Sequence, residues 1–438
     1  MALHRSPHRA LTSTVPAVPS PLCPSWGAAL LAGTVLVAAC SSQPPAAVAP
    51  TPAAADTVTT LGRTLLPDTV EARPVGPPLL PLPDTVPPPD AVIHAARAVT
   101  VCAGGDVMLG SNLDTLWAAR RGVDPLPDPD SLLAPVRALV ADADIVLLNI
   151  EGAIGEGASP SKCRRGSRTC YAFRQPVEAA AALRRLLPQG EVVGNVANNH
   201  AMDAGASGFE ATQAHLAVAG VYVTGADSLA TKVATASGDT VAFLGFSTAQ
   251  AGPDPRDLVA VRRHVQRAAS ESARLVVTTH MGAEGRGAQR TRDSVETYLG
   301  EDRGNAVAFA HAAVEAGAAA VIGHGPHVLR AVEWYRGAPI VYSLGNLLTY
   351  GPFNLTEPMN RGAIACVALG ATGQAKDVVL RSTWQVPPGI LAGDPTGRAA
   401  MLVDSLSALD FPATGSVSSG DGRLIAPEPA KPLPSPRR

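Results

Sequence analysis

The chain has few aromatic residues and almost no net charge. Phe, Trp and Tyr account for 4% of its 438 residues, and its formal net charge at pH 7 is -2. A chain without a basic excess gives no reason to expect nucleic acid as a partner. Hydrophobic residues nevertheless make up 46% of the sequence, which is ample for a sizeable core, so the composition indicates a globular protein.

Two motifs of common catalytic folds are also missing. The stretch around Ser343, Tyr-Ser-Leu-Gly-Asn, lacks the Gly-x-Ser-x-Gly elbow of α/β serine hydrolases. The glycine-rich stretch from Gly104 to Gly110 lacks the Lys-Ser/Thr pair of a nucleotide-binding P-loop. The sequence therefore indicates neither of these two classes of enzyme.

The N-terminal residues have the pattern of an export signal. An arginine-bearing head precedes an uncharged apolar run over residues 26–39, which is shorter than the roughly 20 residues of a membrane span. The run ends in Val-Ala-Ala-Cys, which resembles the lipobox of bacterial lipoproteins, so residues 1–39 are predicted to be a signal peptide and Cys40 to be lipidated. An ordinary cleaved signal is the alternative and also predicts export, but only a lipidated Cys40 predicts a membrane anchor in the cell envelope. The long head favours a translation start downstream of Met1.

Composition divides the rest of the chain into three segments. Residues 40–96 are rich in Pro and Ala and lack the periodic apolar face of a packed element, so they are predicted to form a semi-extended linker. Residues 97–385 carry the patterns of a folded domain. Residues 386–438 include a tail rich in Ser, Gly and Pro and are predicted to be mostly disordered.

The cysteines fall into two groups within this exported domain. Cys163 and Cys170 bracket a basic turn and are predicted to form a disulfide, because exported proteins meet an oxidising environment. A zinc site there is less favoured, since no further ligands follow at finger spacing. Cys102 and Cys366 lie in apolar runs and are predicted to be buried thiols, with a pairing between them left open.

Between residues 97 and 385, apolar β-branched runs alternate with Ala- and Leu-rich segments at helical spacing. This alternation predicts an α/β domain, and hairpin patterns from residue 328 onward predict added antiparallel strands. The predicted strands are 99–102, 145–148, 192–196, 221–224, 241–246, 275–279 and 320–322. The predicted helices are 131–141, 176–187, 205–219, 256–270 and 302–316.

Polar residues collect where five of these strands end. Side chains that perform chemistry in α/β folds gather at the carboxyl ends of strands, so these residues are expected to meet. Carboxylates, an amide and imidazoles form the mixed ligand set that suits Zn, Mn or Fe. The alternative is that each residue separately caps a helix or satisfies a turn. The residues are Asp106, Glu151, Asn199, His200, His280, His324 and His327.

The motifs that contain these residues resemble those of a known family. GGDVMLG, NIEG, ANNHAMDAG, HMGAE, GHGPHVLR and VYSLGN occur in this order over about residues 99–385. They resemble the capsule-synthesis CapA family of the calcineurin-like metallophosphatase superfamily. The resemblance implies a four-layer αββα sandwich of two mixed β-sheets, with a site for one or two divalent metal ions at the strand ends.

The resemblance also implies a role for each residue. His200 would be the acid/base that protonates the leaving group, while the metals activate water. Met108 stands where the superfamily usually has a histidine, so one metal position loses an imidazole. Met281 and Arg330 replace an expected Trp and Gln, which predicts altered substrate contacts. The implied metal ligands are Asp106, Glu151, Asn199, His280, His324 and His327.

Residues around the predicted centre complete the hypothesis. A basic loop at residues 162–168 is a candidate lid, and Arg174, in a Phe-Arg-Gln-Pro segment that resembles the family pattern, is predicted to bind an anionic substrate. Asp203 is predicted to be the N-cap of a helix beginning near residue 204. Glu284 is predicted to support the centre without contacting a metal.

Two functions remain open at this point. The first is a cell-envelope metallohydrolase that acts on a phosphoester or an anionic polymer. The second is a non-catalytic, lipid-anchored accessory protein of a complex that synthesises or exports a capsular polymer such as poly-γ-glutamate. The resemblance supports the process, capsule biosynthesis, more strongly than it supports the reaction.

Overall fold

The computed structural model describes residues 97–110, 128–155, 171–351 and 353–428. Five predicted features lie outside the described residues: the signal peptide, Cys40, the linker up to residue 96, the pair Cys163 and Cys170, and the basic loop at residues 162–168. The lipid anchor, the second disulfide and the basic lid therefore stay predictions. Among the described residues, no helix is both long and apolar enough to cross a membrane.

The described part of the chain alternates strands and helices. Six helices are described: α1 Pro129–Val140, α2 Glu178–Arg184, α3 Gly205–Ala219, α4 Leu258–Glu271, α5 Ala306–Glu315 and α6 Arg398–Asp410. The first twelve strands are β1 Val99–Met108, β2 Ile145–Ile150, β3 Ala153–Ile154, β4 Arg174–Gln175, β5 Glu191–Asn195, β6 Tyr222–Thr224, β7 Thr231–Ala234, β8 Thr240–Ser247, β9 Leu275–His280, β10 Thr297–Tyr298, β11 Glu301–Asp302 and β12 Ala320–His324. The remaining strands are β13 Val332–Tyr335, β14 Ala338–Val341, β15 Asn346–Thr349, β16 Arg361–Leu369, β17 Ala375–Val386, β18 Ile390–Gly393, β19 Val417–Ser418 and β20 Arg423–Ile425.

Two mixed sheets dominate this part of the chain. The large sheet has the order β19-β20-β17-β16-β1-β2-β5-β6, with β15 beside β1 and β18 beside β17. The small sheet has the order β13-β14-β12-β9-β8-β7. Strands β1, β2, β5 and β6 are parallel, as are β8, β9, β12 and β14, so the carboxyl ends of each group share one edge of their sheet.

The two sheets pack face to face. Val101, Leu147 and Val193 of the large sheet share one buried core with Phe243 and Val276 of the small sheet. These strands are nearly continuous apolar runs, as expected for parallel strands that are covered on both faces.

Helices cover the two outer faces of the sandwich. Leu133, Leu183 and Leu216 of α1, α2 and α3 pack on the outside of the large sheet. Val265 and Phe309 of α4 and α5 pack on the outside of the small sheet. The predicted four-layer αββα sandwich is therefore confirmed, and all the predicted strands and helices are present. Most lie within a few residues of their predicted bounds, but β1 continues to Met108, six residues beyond the predicted end.

Two local signals explain where the helices begin and end. The Asp257 side chain accepts hydrogen bonds from the backbone N–H groups of Val259 and Ala260 and so caps α4. Gly220 ends α3 in a left-handed conformation with φ of 83°, which a residue without Cβ adopts at little cost.

Cys102 and Cys366 form a disulfide in the core. They lie directly opposite each other in β1 and β16, which are antiparallel neighbours. The prediction of two buried thiols is therefore wrong, and the pairing that the sequence left open is confirmed. The sequence could not decide between them because only the sheet order makes β1 and β16 adjacent.

Regular structure continues after residue 385. Ala399, Ala400 and Val403 of α6 enter the core between the sheets, and Leu424 of β20 joins them. The prediction that residues 386–438 are mostly disordered is therefore wrong for residues 386–428. The apolar residues of α6 recur at helical spacing, but the Ser- and Gly-rich sequence around them obscured the pattern.

Candidate metal centre

The ends of four long strands bring the predicted ligands together. Asp106 and Glu151 come from β1 and from the end of β2 in the large sheet, whereas His280 and His324 end β9 and β12 in the small sheet. His327 follows β12 on a short loop. Because both groups of parallel strands end on the same side of the sandwich, five predicted ligands from distant parts of the sequence share one site.

The distances within this cluster are short. Ligand atoms of Asp106, Glu151 and His327 all lie within 4.8 Å of one another. Asp106 Oδ1 is 3.9 Å from His280 Nδ1 and 3.8 Å from His324 Nδ1, and Asp106 Oδ2 is 2.9 Å from His327 Nδ1. Glu151 Oε1 is 3.7 Å from His280 Nε2 and 3.6 Å from His327 Nε2. A single cation could thus contact several of these atoms.

Several buried atoms in the cluster lack a hydrogen-bond partner among the described residues. They are Glu151 Oε1, His280 Nε2 and both ring nitrogens of His324. Each of the three side chains is about as buried as a core leucine, with at most 2% exposed. Unsatisfied buried polar atoms are costly and rare in native proteins. A divalent cation could bind Glu151 Oε1, His280 Nε2 and one ring nitrogen of His324, so these residues fit a metal with mixed oxygen and nitrogen ligands.

The charges in the centre shift the pKa values of its members. Burial opposes ionisation of Asp106, but the interaction with His327 and the other imidazoles outweighs it and lowers the pKa of Asp106. Burial lowers the pKa of His280 well below its ordinary value and that of His324 to about 4. At neutral pH, Asp106 is therefore ionised and both histidines are neutral, which are the protonation states that bind metals.

The pKa values of Glu151 and His327 are both raised in the metal-free protein. Burial raises the pKa of Glu151 well above its ordinary value, and the charges of Asp106 and Glu284 add to this rise. Burial would lower the pKa of His327, but the charges of Glu151 and Asp106 outweigh it and raise that pKa. A cation bound between them would take the place of these protons.

A chain of asparagine amides holds the large-sheet side of the centre. Asn149 Nδ2 donates to Asp106 Oδ1 at 2.8 Å and lies 3.1 Å from His280 Nδ1. Asn149 Oδ1 in turn accepts from Asn195 at 3.0 Å and from Asn198 at 3.3 Å. No role was predicted for these three amides from the sequence. The asparagine-rich stretch Asn-Val-Ala-Asn-Asn-His, which contains Asn195 and Asn198, was nevertheless a visible signal.

Asn199 and His200 lie in the turn between β5 and α3. The backbone N–H of His200 donates to Asn198 Oδ1 at 3.0 Å, which fixes the turn. Asn199 is half-buried there, and its role as a metal ligand stays a prediction.

Asp203 orients His200. Its Oδ2 lies 2.6 Å from His200 Nδ1 and also accepts from the backbone N–H of Phe173 at 2.6 Å. The ring of Phe173 packs on the imidazole, with 4.0 Å between ring centroids. The prediction that Asp203 caps a helix is wrong, because Ala204 is the N-cap residue of α3 and makes no side-chain capping bond. The spacing His-x-x-Asp could have revealed the pair.

Arg174 lies in β4, which pairs with β3 directly after Glu151. It is half-buried, and its predicted contact with an anionic substrate stays a prediction. Its neighbour Gln175 accepts a hydrogen bond from the backbone N–H of Leu109 at 2.8 Å. The Phe-Arg-Gln-Pro segment therefore also helps to hold the end of β1.

Met281 and Arg330, the two residues that depart from the family pattern beside the small sheet, are both buried. Met281 is 3% exposed and packs in the core beneath α4 and α5. Arg330 is 1% exposed and binds both carboxylate oxygens of Glu296, at 2.8 and 2.7 Å. The expectation that they change substrate contacts stays a prediction. Met108 is also fully buried, at the end of β1.

The sequence of the chain matches those of known proteins. The family model described as Bacterial capsule synthesis protein PGA_cap matches residues 100–350. A Mycobacterium tuberculosis protein named "Probable polyglutamine synthesis accessory protein" is 30% identical over 292 residues, covering 57% of this chain and 74% of that protein. The Bacillus subtilis PGA biosynthesis protein CapA is 31% identical over 170 residues, covering 35% of this chain and 41% of that protein.

A solved calcineurin-like phosphoesterase of Bacillus subtilis also aligns with the chain, with 9% identity over 68% of this chain and 90% of that one. Its TM-score is only 0.35, so the assignment depends on the sequence match. The matched model spans more than half of the chain and includes every predicted metal ligand. The protein belongs to the bacterial capsule synthesis protein family PGA_cap.

Proposed function

We propose that this protein is a metal-dependent hydrolase that acts in the synthesis of a capsular polymer. Its substrate would be a phosphoester or a bond of an anionic polymer such as poly-γ-glutamate. The observation that carries the proposal is a buried cluster of unsatisfied ligand atoms beside an imidazole that Asp203 holds in place. A purely structural metal site would not need such an oriented imidazole next to it.

Different residues would hold the metal and transfer the proton. Asp106 and Glu151 would hold a divalent metal from the large sheet, and the three histidines His280, His324 and His327 from the small sheet. The bound metal would lower the pKa of water and polarise an oxygen of the scissile bond.

His200 would carry the proton. Since His200 Nδ1 is committed to Asp203, proton exchange with the leaving group falls to Nε2. Asp203 would favour this tautomer and stabilise the imidazolium when it forms. Phe173 would keep the ring in position through its packing contact.

We also propose that the protein works at the cell envelope, anchored by lipid on Cys40. The Cys102–Cys366 disulfide supports export, because disulfides persist in oxidising compartments. Mass spectrometry of the mature protein is expected to find an acylated Cys40 at its N-terminus, and an unmodified Cys40 would contradict the anchor. Arg174 would bind the anionic substrate, and other capsule-synthesis components would be partners.

Hydrolysis assays with Mn or Zn supplied test the reaction. The wild type is compared with His200→Ala and Asp203→Asn on a phosphodiester, a phosphomonoester and poly-γ-glutamate. We expect His200→Ala to lower kcat by about 10²–10⁴-fold, because general acid catalysis contributes about that much. Asp203→Asn should lower kcat while retaining metal binding, since the groups that it disturbs, His200 and the backbone N–H of Phe173, are not among the proposed ligands that hold the metal.

A matched control is His264→Ala, which removes a half-buried histidine of α4. This variant should retain wild-type activity. Equal activity of His200→Ala and the wild type would remove the proposed acid. If metal binds but the wild type hydrolyses none of the three substrates, the non-catalytic accessory function becomes the better account.

A further inference from the structure

We propose that Glu284 is an additional ligand of the metal centre, which makes the centre richer in oxygen than the six predicted ligands alone. Glu284 lies on the loop after β9, and its Oε2 is 3.8 Å from His327 Nε2. That nitrogen is also 3.6 Å from Glu151 Oε1, so two carboxylates approach the same imidazole. The inference deepens the proposed function, because it rests on the same metal centre.

Arg303 aims Glu284 at the centre. Its Nη1 donates to Glu284 Oε1 at 2.6 Å, which leaves Oε2 as the oxygen nearest to His327. Both side chains are largely buried, with 8% of Arg303 and 12% of Glu284 exposed. Ordering a long side chain costs conformational entropy. Because the bond to Arg303 already orders Glu284 in the metal-free protein, metal binding would not bear that cost.

The loop that carries Glu284 is held in place by hydrogen bonds to Glu296 and Arg330. The backbone N–H of Ala283 donates to Glu296 at 2.7 Å, and the same carboxylate binds the buried Arg330. Arg330 also donates to the backbone oxygens of Ala283, at 3.2 Å, and Ala288, at 2.7 Å. Arg330 is thus a positioning residue for Glu284, which gives a function to this unusual buried arginine.

The loop is also bonded directly to the segment that carries His327. The backbone N–H of Gly285 donates to the oxygen of Pro326 at 3.0 Å. His327 has a positive φ of 57°, which is uncommon for a residue with a side chain and often marks a functional site. The relative positions of Glu284 and His327 are therefore set by the backbone.

The chemistry of the surrounding donor atoms favours Glu284 as a metal ligand over Glu284 as a nearby charge that does not contact the metal. Met108, at the end of β1, is a poor ligand for hard or borderline metals, so it adds no donor beside Asp106. Glu284 would add a carboxylate to those of Asp106 and Glu151. Carboxylate-rich sites suit Mn²⁺ better than imidazole-rich sites do. We therefore infer a centre whose preference is shifted toward Mn²⁺.

The test is a calorimetric titration of the metal-depleted full chain with Mn²⁺ and, separately, with Zn²⁺. Glu284→Gln is compared with Glu301→Gln, which removes the same charge from another partner of Arg303 that is 71% exposed. We expect Glu284→Gln to weaken Mn²⁺ binding by at least about 10-fold, the minimum seen when support of a metal site is lost. Zn²⁺ binding should weaken less, and Glu301→Gln should bind both ions as the wild type does.

A spectrum separates a ligand from a nearby charge. With Co²⁺ bound, Glu284→Gln should change the visible absorption bands, because the coordination of the metal changes, whereas Glu301→Gln should not. Thermal unfolding of the metal-free variants checks that both fold as the wild type does. Wild-type Mn²⁺ affinity and an unchanged Co²⁺ spectrum in Glu284→Gln would overturn this inference alone. If the wild type binds no divalent metal, the proposed function fails with it.

Discussion

The two sheets contribute opposite kinds of side chain to one centre. On the large sheet, Asp106 is fixed by the amide of Asn149, which is held by two further asparagines. On the small sheet, both ring nitrogens of His324 and one of His280 have no partner among the described residues. The asparagine amides and Asp106 Oδ1 are satisfied by the protein itself, whereas these imidazoles, and Glu151 Oε1 beside them, would gain a partner from a bound cation.

This difference separates the side chains that stabilise the folded protein from those that would bind the metal. The amide network contributes to the folded state whether or not metal is bound, because its hydrogen bonds are internal. The imidazoles contribute little to the metal-free fold and bear a desolvation cost that metal binding would offset. Substitutions on the two sides should therefore have different effects on the metal-free protein.

The largest effect on stability is expected for Asn149→Leu. This substitution removes the buried partner that Asp106 Oδ1 and the amides of Asn195 and Asn198 share. Asn195 and Asn198 still donate to backbone oxygens, so the atoms left unpaired are Asp106 Oδ1 and His280 Nδ1. At about 1–3 kcal/mol for each unpaired group, we expect the free energy of unfolding of the metal-free protein to fall by about 2–6 kcal/mol. Urea denaturation in the presence of a chelator measures this, and an unchanged midpoint would show that the network is not stabilising.

A much smaller effect is expected for His324→Leu on the opposite sheet. Burial lowers the pKa of His324 to about 4, so the side chain is neutral at pH 7.5 and no ion pair is lost. No hydrogen bond is lost either, so the metal-free protein should change by less than about 1 kcal/mol. The same denaturation experiment checks this. A loss as large as that of Asn149→Leu would erase the contrast between the two sides.

Much of the centre could be predicted because the polar residues interrupt apolar runs. Asp106, Glu151, His280 and His324 each follow or end a buried strand, and parallel strands bring such ends together. The alternation of strands and helices likewise predicted the layers, since each buried face needs an apolar stripe at its own period.

What escaped prediction depends on which elements become neighbours. The Cys102–Cys366 bond requires β1 beside β16, and the amide network requires Asn149 beside Asn195 across β2 and β5. The burial of Arg330 also escaped prediction, because charged side chains are seldom fully buried without a partner. Its partner Glu296 lies on a distant loop that only the folded chain brings close.

Titration of the metal-depleted full chain with Mn²⁺ at several pH values is the direct test of a metal centre shared by the two sheets. We expect one or two ions to bind per chain and protons to be released on binding, because the raised pKa values within the buried Glu151–His327 pair favour a proton there before metal arrives. Affinity should therefore rise with pH, and His324→Leu should weaken binding strongly. Absence of binding at every pH, or binding that His324→Leu leaves intact, would contradict a metal centre shared by the two sheets.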